Sequence, residues 1–188
     1  MTSGASIFLH DVRNAAAIGG TINYPQLIIN KAALGTSEYK NTNCNPSGCN
    51  GGAIAVRSLE KVDIQIASTS FTNNRAGANG AAIFVEGSIN NKALTVSLTS
   101  STFTNNVAVT SASILYAPST ASSSSLTIAD SDFTTNQATL GDGGLFYMSA
   151  VTSNSIVFNN ALVVGAGINS IINTASSGGN GGVFYFNG

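Results

Sequence analysis

Small and apolar residues recur along this chain in one fixed order. Each copy has three small residues, then an apolar residue, any residue and a second apolar residue. The copies read GASIFL (4–9), GGAIAV (51–56), GAAIFV (80–85), SASILY (111–116), DGGLFY (142–147) and NGGVFY (180–185). Their first apolar residues are Ile7, Ile54, Ile83, Ile114, Leu145 and Val183, at spacings of 47, 29, 31, 31 and 38 residues. This recurrence predicts one strand per repeat, with these six side chains in a single buried column.

A second motif, Phe-x-x-Asn-x-Ala, lies between copies of the first. It reads FTNNRA (71–76), FTNNVA (103–108) and FTTNQA (133–138), with weaker copies LIINKA (27–32) and SIINTA (170–175). The sequence IVFNNA (156–161), which contains Asn159, competes for the last place. We predict that Phe71, Phe103 and Phe133 stack in the core, and that one Asn per repeat joins an amide ladder at a turn. The Asn residues are Asn30, Asn74, Asn106, Asn136 and Asn173.

A third strand precedes each Phe motif. Ile64, Val96 and Leu126 form one column and Ile66, Leu98 and Ile128 form another, with Gln65, Ser97 and Thr127 between them. Alternation with period two is typical of a strand with one buried face. Three short strands per repeat, without a helical period, predict an all-β right-handed parallel β-helix of about five coils. We treat residues 1–188 as one domain. The alternative β-sandwich would show hairpin signals between paired strands and would not repeat one motif order at a near-constant interval.

Charged residues make up only 8% of the chain and the net charge is −1. The absence of a basic patch argues against a nucleic-acid partner, and no apolar run is long enough for a transmembrane helix. Cys44 and Cys49 flank a Pro- and Gly-containing turn in the insertion 31–50. They predict a local disulfide and therefore an oxidising compartment, whereas two free thiols or half of a metal site are the alternatives.

Together, GGAI and FxxN resemble the paired motif of the polymorphic outer-membrane protein repeats of bacterial cell surfaces, and similar repeats occur in large surface proteins of protists. The resemblance extends from Gly4 to Tyr185. It implies a β-helix of the pectin-lyase-like kind, an extracellular or cell-surface location, and a structural or adhesive role. The copy SASILY departs from the pattern because it lacks the glycines.

Candidate chemistry is sparse. Asp130, Asp132 and Asp142 form the best acidic cluster, which we interpret as a solvated strand end, with a weak cation site as the alternative. His10 stands alone. We therefore expect no catalytic residue, metal or cofactor, and we expect that the protein is not an enzyme. A polysaccharide lyase or glycoside hydrolase, a glycan-binding protein and an ice-binding module are the alternative functions; mixed polar columns argue against the last.

One outer face is predicted to carry an apolar stripe. Counting from the first strand residue of each repeat, the second and fourth positions should face outward. Such a stripe indicates a contact with a second copy or with a covering loop. Because the chain begins and ends on the same strand, we expect filaments by end-to-end or lateral stacking, or further coils of a longer chain. The predicted stripe comprises Phe8, Phe84, Leu115, Phe146, Met148, Phe184 and Phe186.

Overall fold

The structure is a computed structural model, and its described residues form β-strands joined by short turns, without a helix. The described residues are 7–10, 26–30, 33–35, 50–57, 62–86, 93–118, 123–149, 154–159, 162–164 and 184–187.

The strands are arranged in four parallel sheets. Sheet A contains β1 (Ile7–His10), β4 (Ile54–Arg57), β8 (Ile83–Glu86), β12 (Leu115–Ala117), β16 (Phe146–Ser149) and β19 (Phe184–Asn187). Sheet B contains β2 (Gln26–Asn30), β5 (Val62–Ala67), β9 (Ala93–Thr99), β13 (Ser123–Ala129) and β17 (Asn154–Asn159). Sheet C contains β3 (Ala33–Gly35), β6 (Ser70–Thr72), β10 (Thr102–Thr104), β14 (Asp132–Thr134) and β18 (Leu162–Val164). Sheet D contains β7 (Arg75–Ala76), β11 (Val107–Ala108) and β15 (Gln137–Ala138).

The chain visits these sheets in the same order in successive repeats. Each strand pairs in parallel with its equivalents in neighbouring repeats, and strands that are consecutive in sequence belong to different sheets. The prediction of an all-β chain with parallel pairing between repeats is confirmed, and the arrangement is consistent with a β-helix.

The core lies between the inner faces of sheets A, B and C. In sheet B, buried and more exposed residues alternate along β9, so that Leu94, Val96 and Leu98 point inward. In sheet C, Phe71, Phe103 and Phe133 lie in register, with ring centroids 4.7 and 5.0 Å apart and interplanar angles of 9°. Burial of each such ring stabilises the fold by about 1.5–3 kcal/mol.

The predicted register of sheet A is wrong by one residue from the fourth repeat onward. Ile7, Ile54 and Ile83 are paired as expected, but Ile83 pairs with Leu115 rather than with Ile114. The column then continues through Phe146 and Phe184, and not through Leu145. Ile114 and Leu145 are nevertheless buried, one position before this column. Val183 lies outside the described residues.

The predicted Phe motif is also wrong in the outer repeats. The strand that contains Asn30 pairs with β5, where Asn30 lies opposite Ala67, and Leu34 is the true partner of Phe71. At the other end, Asn159 lies opposite Ala129 in sheet B, so it is not a turn residue of the ladder. The Phe column continues instead at Val163. Asn173 and both cysteines, Cys44 and Cys49, lie outside the described residues.

Backbone in the left-handed region forms three corners in the described central repeats. The column before sheet C has φ values of 47–49°, and the column before sheet D has values of 54–59°. The column before sheet A has values of 49–78° and always lies three residues before the first residue of that strand in register. Left-handed backbone favours Gly and Asn because a Cβ crowds the following carbonyl. The three columns are Ser68, Ser100 and Asp130; Asn73, Asn105 and Thr135; and Gly51, Gly80, Ala112 and Gly143.

Candidate functional site

Four aromatic side chains, Phe84, Tyr116, Tyr147 and Tyr185, form a continuous stack on the outer face of sheet A, which we name the aromatic ladder. Their backbones are paired in register across β8, β12, β16 and β19. The ring centroids are 5.8, 4.6 and 5.0 Å apart in order, with interplanar angles of 4°, 24° and 18°. The residues on either side of Phe84, Tyr116 and Tyr147 are buried in the core, so the ladder lies on the opposite face. The three tyrosines are half-buried, whereas Phe84 is 3% exposed.

Corner glycines make room beside this ladder. A Cβ added to Gly143 would lie 2.3 Å from the carbonyl oxygen of Phe146 and 3.2 Å from Cβ of Tyr185. A Cβ added to Gly51 would lie 3.3 Å from Cβ of Phe84. The glycine of the GGAI pattern therefore provides both a left-handed corner and the space in which the next aromatic side chain packs.

Burial makes Tyr116, the first of the three phenols in the ladder, a very weak acid. Burial, followed by the charges of Tyr147 and Asp142, raises the pKa of Tyr116 from 10.0 to about 12. The phenol therefore stays neutral at physiological pH and retains its O–H as a hydrogen-bond donor.

The stacking determines which part of each ring a partner can reach. Because the rings cover one another's faces, a partner can reach mainly the ring edges. A sugar that binds to an aromatic side chain packs against a ring face, and such faces are largely used within the ladder. The arrangement therefore suits a partner that offers its own edges and polar groups at the spacing of the strands, roughly 4.8 Å.

The structure places most of the predicted stripe on the wrong side of sheet A. Leu115, Phe146 and Met148 are at most 1% exposed and belong to the core, so their assignment to an outer stripe is wrong. The prediction used the shifted register, and a shift by one residue transfers a whole strand's side chains to the other face.

The remaining residues of the predicted stripe lie in two different columns of sheet A, one in register with Phe84 and the other in register with the core residues Phe146 and Met148. Phe84 lies on the outer face, and Phe8 is paired with Ala55, which is paired with Phe84. Phe184 stacks on Phe146 at 5.1 Å and packs against the core. Phe186 is paired with Met148. The sequence prediction missed all three tyrosines, although each of them ends an apolar triplet, ILY, LFY or VFY.

A ladder of buried amides lies inside the second corner. The side chain of Asn74 donates through Nδ2 to Oδ1 of Asn106 at 2.8 Å, and Asn106 donates in the same way to Asn136 at 2.8 Å. Each acceptor oxygen also receives the backbone N–H of the preceding Asn, at 3.1 and 2.9 Å. The amides of Asn106 and Asn136 donate further to the carbonyls of Phe71 and Phe103. The Phe stack and the Asn ladder are thus one connected unit.

Two further polar ladders were not predicted. In the first corner, the backbone N–H groups of Thr69 and Ser101 donate to Oγ of Ser101 and Ser131 at 3.2 and 3.1 Å. In the third corner, Asn79 donates through Nδ2 to Oδ1 of Asn50 at 3.0 Å, and Ser111 donates its N–H to Oδ1 of Asn79 at 2.9 Å. Short polar residues at constant spacing are the sequence signal that could have revealed them.

The acidic cluster is dispersed over the fold. Asp130 belongs to the first corner, Asp132 is exposed in sheet C, and Asp142 lies in the third corner, next to Gly143. Within the described part of the chain, no three His, Cys, Asp or Glu side chains come together as a metal site. The same part contains no helix long and apolar enough to cross a membrane.

Comparisons with protein-family models, curated proteins and solved structures find no match for this chain.

Proposed function

We propose that this chain is a right-handed parallel β-helix of about five coils that acts as a structural or adhesive module at the cell surface and associates with further copies of itself through the outer face of sheet A. The parallel register across all four sheets supports the β-helix. The recurrence of the three left-handed corners supports a regular coil.

The two motifs of the resemblance have clear structural roles here. The first glycine of GGAI is the left-handed corner Gly51, and the Phe and Asn of FxxN belong to the ring stack and the amide ladder. These roles support the family resemblance as an account of the fold. The extracellular location is part of the proposal and is supported by the same resemblance.

The aromatic ladder is the observation that carries the proposed association. Its phenols form a row at the spacing of the strands, and a second copy presents an identical row at the same spacing. Tyr side chains are enriched at interfaces because they combine a large apolar area with a hydroxyl group. With a net charge of −1, charge repulsion between copies is small.

Sedimentation velocity over a concentration series tests the association. We expect the wild-type protein to form dimers or larger species as concentration rises, and Tyr147→Ser to weaken this association at least tenfold, which corresponds to about 1.4 kcal/mol. Thr127→Ala, on the outer face of sheet B, is the matched control and should associate like the wild type. Far-UV circular dichroism checks that each variant is folded. A monomeric wild type, or an unchanged affinity in Tyr147→Ser, would refute the proposed interface.

A further inference from the structure

We propose that Tyr116 and Tyr147 form an oxidative cross-linking site, at which a one-electron oxidant of the peroxidase and hydrogen peroxide class joins two neighbouring repeats by a carbon–carbon dityrosine bond. The inference depends on the geometry of one molecule and does not require the proposed association between copies.

The two rings are already held face to face. Tyr116 and Tyr147 are paired in register on parallel strands, with centroids 4.6 Å apart and planes inclined by 24°. This is the shortest ring separation in the described ladder. Because the strands restrain both rings, little conformational freedom is lost when the bond forms.

The position of the pair on the fold also favours the reaction. Both residues are half-buried on an outer face, and their ring faces are in contact. Phe84 stacks on the other side of Tyr116 at 5.8 Å but has no phenol to oxidise. Coupling from Tyr116 is therefore directed towards Tyr147.

The chemistry balances with hydrogen peroxide as the terminal oxidant. Each phenol loses one electron and one proton and becomes a phenoxyl radical. The two radicals join through ring carbons ortho to their oxygens, and the hydrogen on each of these carbons moves to the phenol oxygen. One molecule of hydrogen peroxide accepts the two electrons and two protons and becomes two molecules of water.

Such a bond would close a covalent loop from Tyr116 to Tyr147. A loop of this kind restricts the unfolded chain more than the folded one, because the two residues are already neighbours in the fold. We therefore expect the oxidised protein to unfold at a higher urea concentration than the untreated protein.

The sequence offers a direct readout. No Lys or Arg follows Lys92, and the Asp residues beyond it are Asp130, Asp132 and Asp142. Digestion with trypsin and a protease that cleaves before Asp separates Tyr116, on peptide 93–129, from Tyr147, on peptide 142–188. The cross-link joins these two peptides with the loss of two hydrogens, which mass spectrometry detects.

The experiment treats dilute, monomeric full-length protein with peroxidase and hydrogen peroxide. We expect the joined peptide and dityrosine fluorescence from the wild type. Tyr147→Phe, which retains the ring but lacks the phenol, should lose the joined peptide. The matched control Tyr185→Phe should retain it.

Three results would overturn the proposal. These are the absence of the joined peptide in the oxidised monomer, an equal yield from protein unfolded in urea, and an unchanged yield in Tyr147→Phe. Circular dichroism of each variant before oxidation shows that it is folded. The assay is performed on monomer, so a failure of self-association would leave its outcome unaffected.

Discussion

Replacement of Asn106 by Ala should be among the most damaging single changes in this fold. Its side chain is fully buried and makes four hydrogen bonds: it donates to Asn136 and to the Phe71 carbonyl, and it accepts from the side chain and the backbone N–H of Asn74. In the Asn106→Ala variant, Asn136 Oδ1 would still accept a hydrogen bond from the backbone N–H of residue 106. Three other buried groups would lose this partner, namely the N–H and the amide of Asn74 and the Phe71 carbonyl.

The loss of one hydrogen bond by a buried polar group costs up to about 1–3 kcal/mol. Three such groups, partly relieved by relaxation, give an expected loss of about 3–6 kcal/mol. This is a large fraction of the stability of a typical domain, about 5–15 kcal/mol. The loss is measured by urea unfolding followed by far-UV circular dichroism.

The neighbouring residue provides the matched control. Asn105 is exposed, and its amide donates only to the exposed amide of Asn73 at 2.6 Å. Asn105→Gly retains access to the left-handed φ of 54°, so it should cost less than about 1 kcal/mol. If Asn106→Ala lost less than about 1 kcal/mol, or if both variants lost the same amount, the reasoning that assigns stability to the buried ladder would be wrong.

Three further outcomes are expected. Phe103→Ala should cost about 3–5 kcal/mol by urea unfolding, because it opens a cavity in the middle of the ring stack; a loss below about 1 kcal/mol would contradict the stacked register. Gly143→Ala should cost about 2 kcal/mol or more by the same assay, because φ is 62° and the new Cβ would lie 2.3 Å from the Phe146 carbonyl oxygen, and a neutral effect would contradict that corner. Since the pKa of Tyr116 rises from 10.0 to about 12 on folding, the folded chain keeps a proton that the unfolded chain loses, and stability should fall between pH 10 and 12. Urea unfolding of Tyr116→Phe across this range should show a shallower fall, and an identical slope would refute the assignment.

Sheet B and the middle of sheet C were predictable from the sequence because polar residues mark the alternation. Gln65, Ser97 and Thr127 separate apolar neighbours, so only one face of the strand can be buried. In the three FxxN copies, Phe and Asn are always three residues apart, so each of them occupies the same position in its repeat.

Sheet A was less predictable because its later strands are apolar at consecutive positions. In ILY (114–116) and LFY (145–147), period two cannot show which residues face inward. The left-handed corner resolves this ambiguity, because Ala112 and Gly143 each lie three residues before the first residue of the strand. Ala112 occupies a position usually held by glycine, and this concealed the register.

The prediction of the Phe motif in the outer repeats was wrong for a different reason. LIINKA matches the spacing of FxxN by chance, but its Leu27 belongs to the sheet B column opposite Ile64. The true equivalents of the Phe residues are the aliphatic residues Leu34 and Val163, which are paired with Phe71 and Phe133. A buried column requires only an apolar side chain of suitable volume, so a search for Phe could not find them.

The polar ladder in the third corner affects how readily two asparagines of this protein deamidate. Asn50 and Asn79 each precede a glycine, the sequence context in which asparagine deamidates most readily, because the following backbone nitrogen attacks the side-chain carbonyl carbon. Here the Gly51 nitrogen donates to the Asn79 carbonyl at 2.9 Å, and the Gly80 nitrogen donates to the Ala112 carbonyl at 3.0 Å. Asn79 Nδ2 also donates a hydrogen bond to Asn50 Oδ1. Hydrogen bonds therefore restrain both the backbone nitrogens that would attack and the side-chain amides that they would attack. The stacked corners therefore protect Asn50 and Asn79 from deamidation. Aspartate at either position would indicate that the corner had opened.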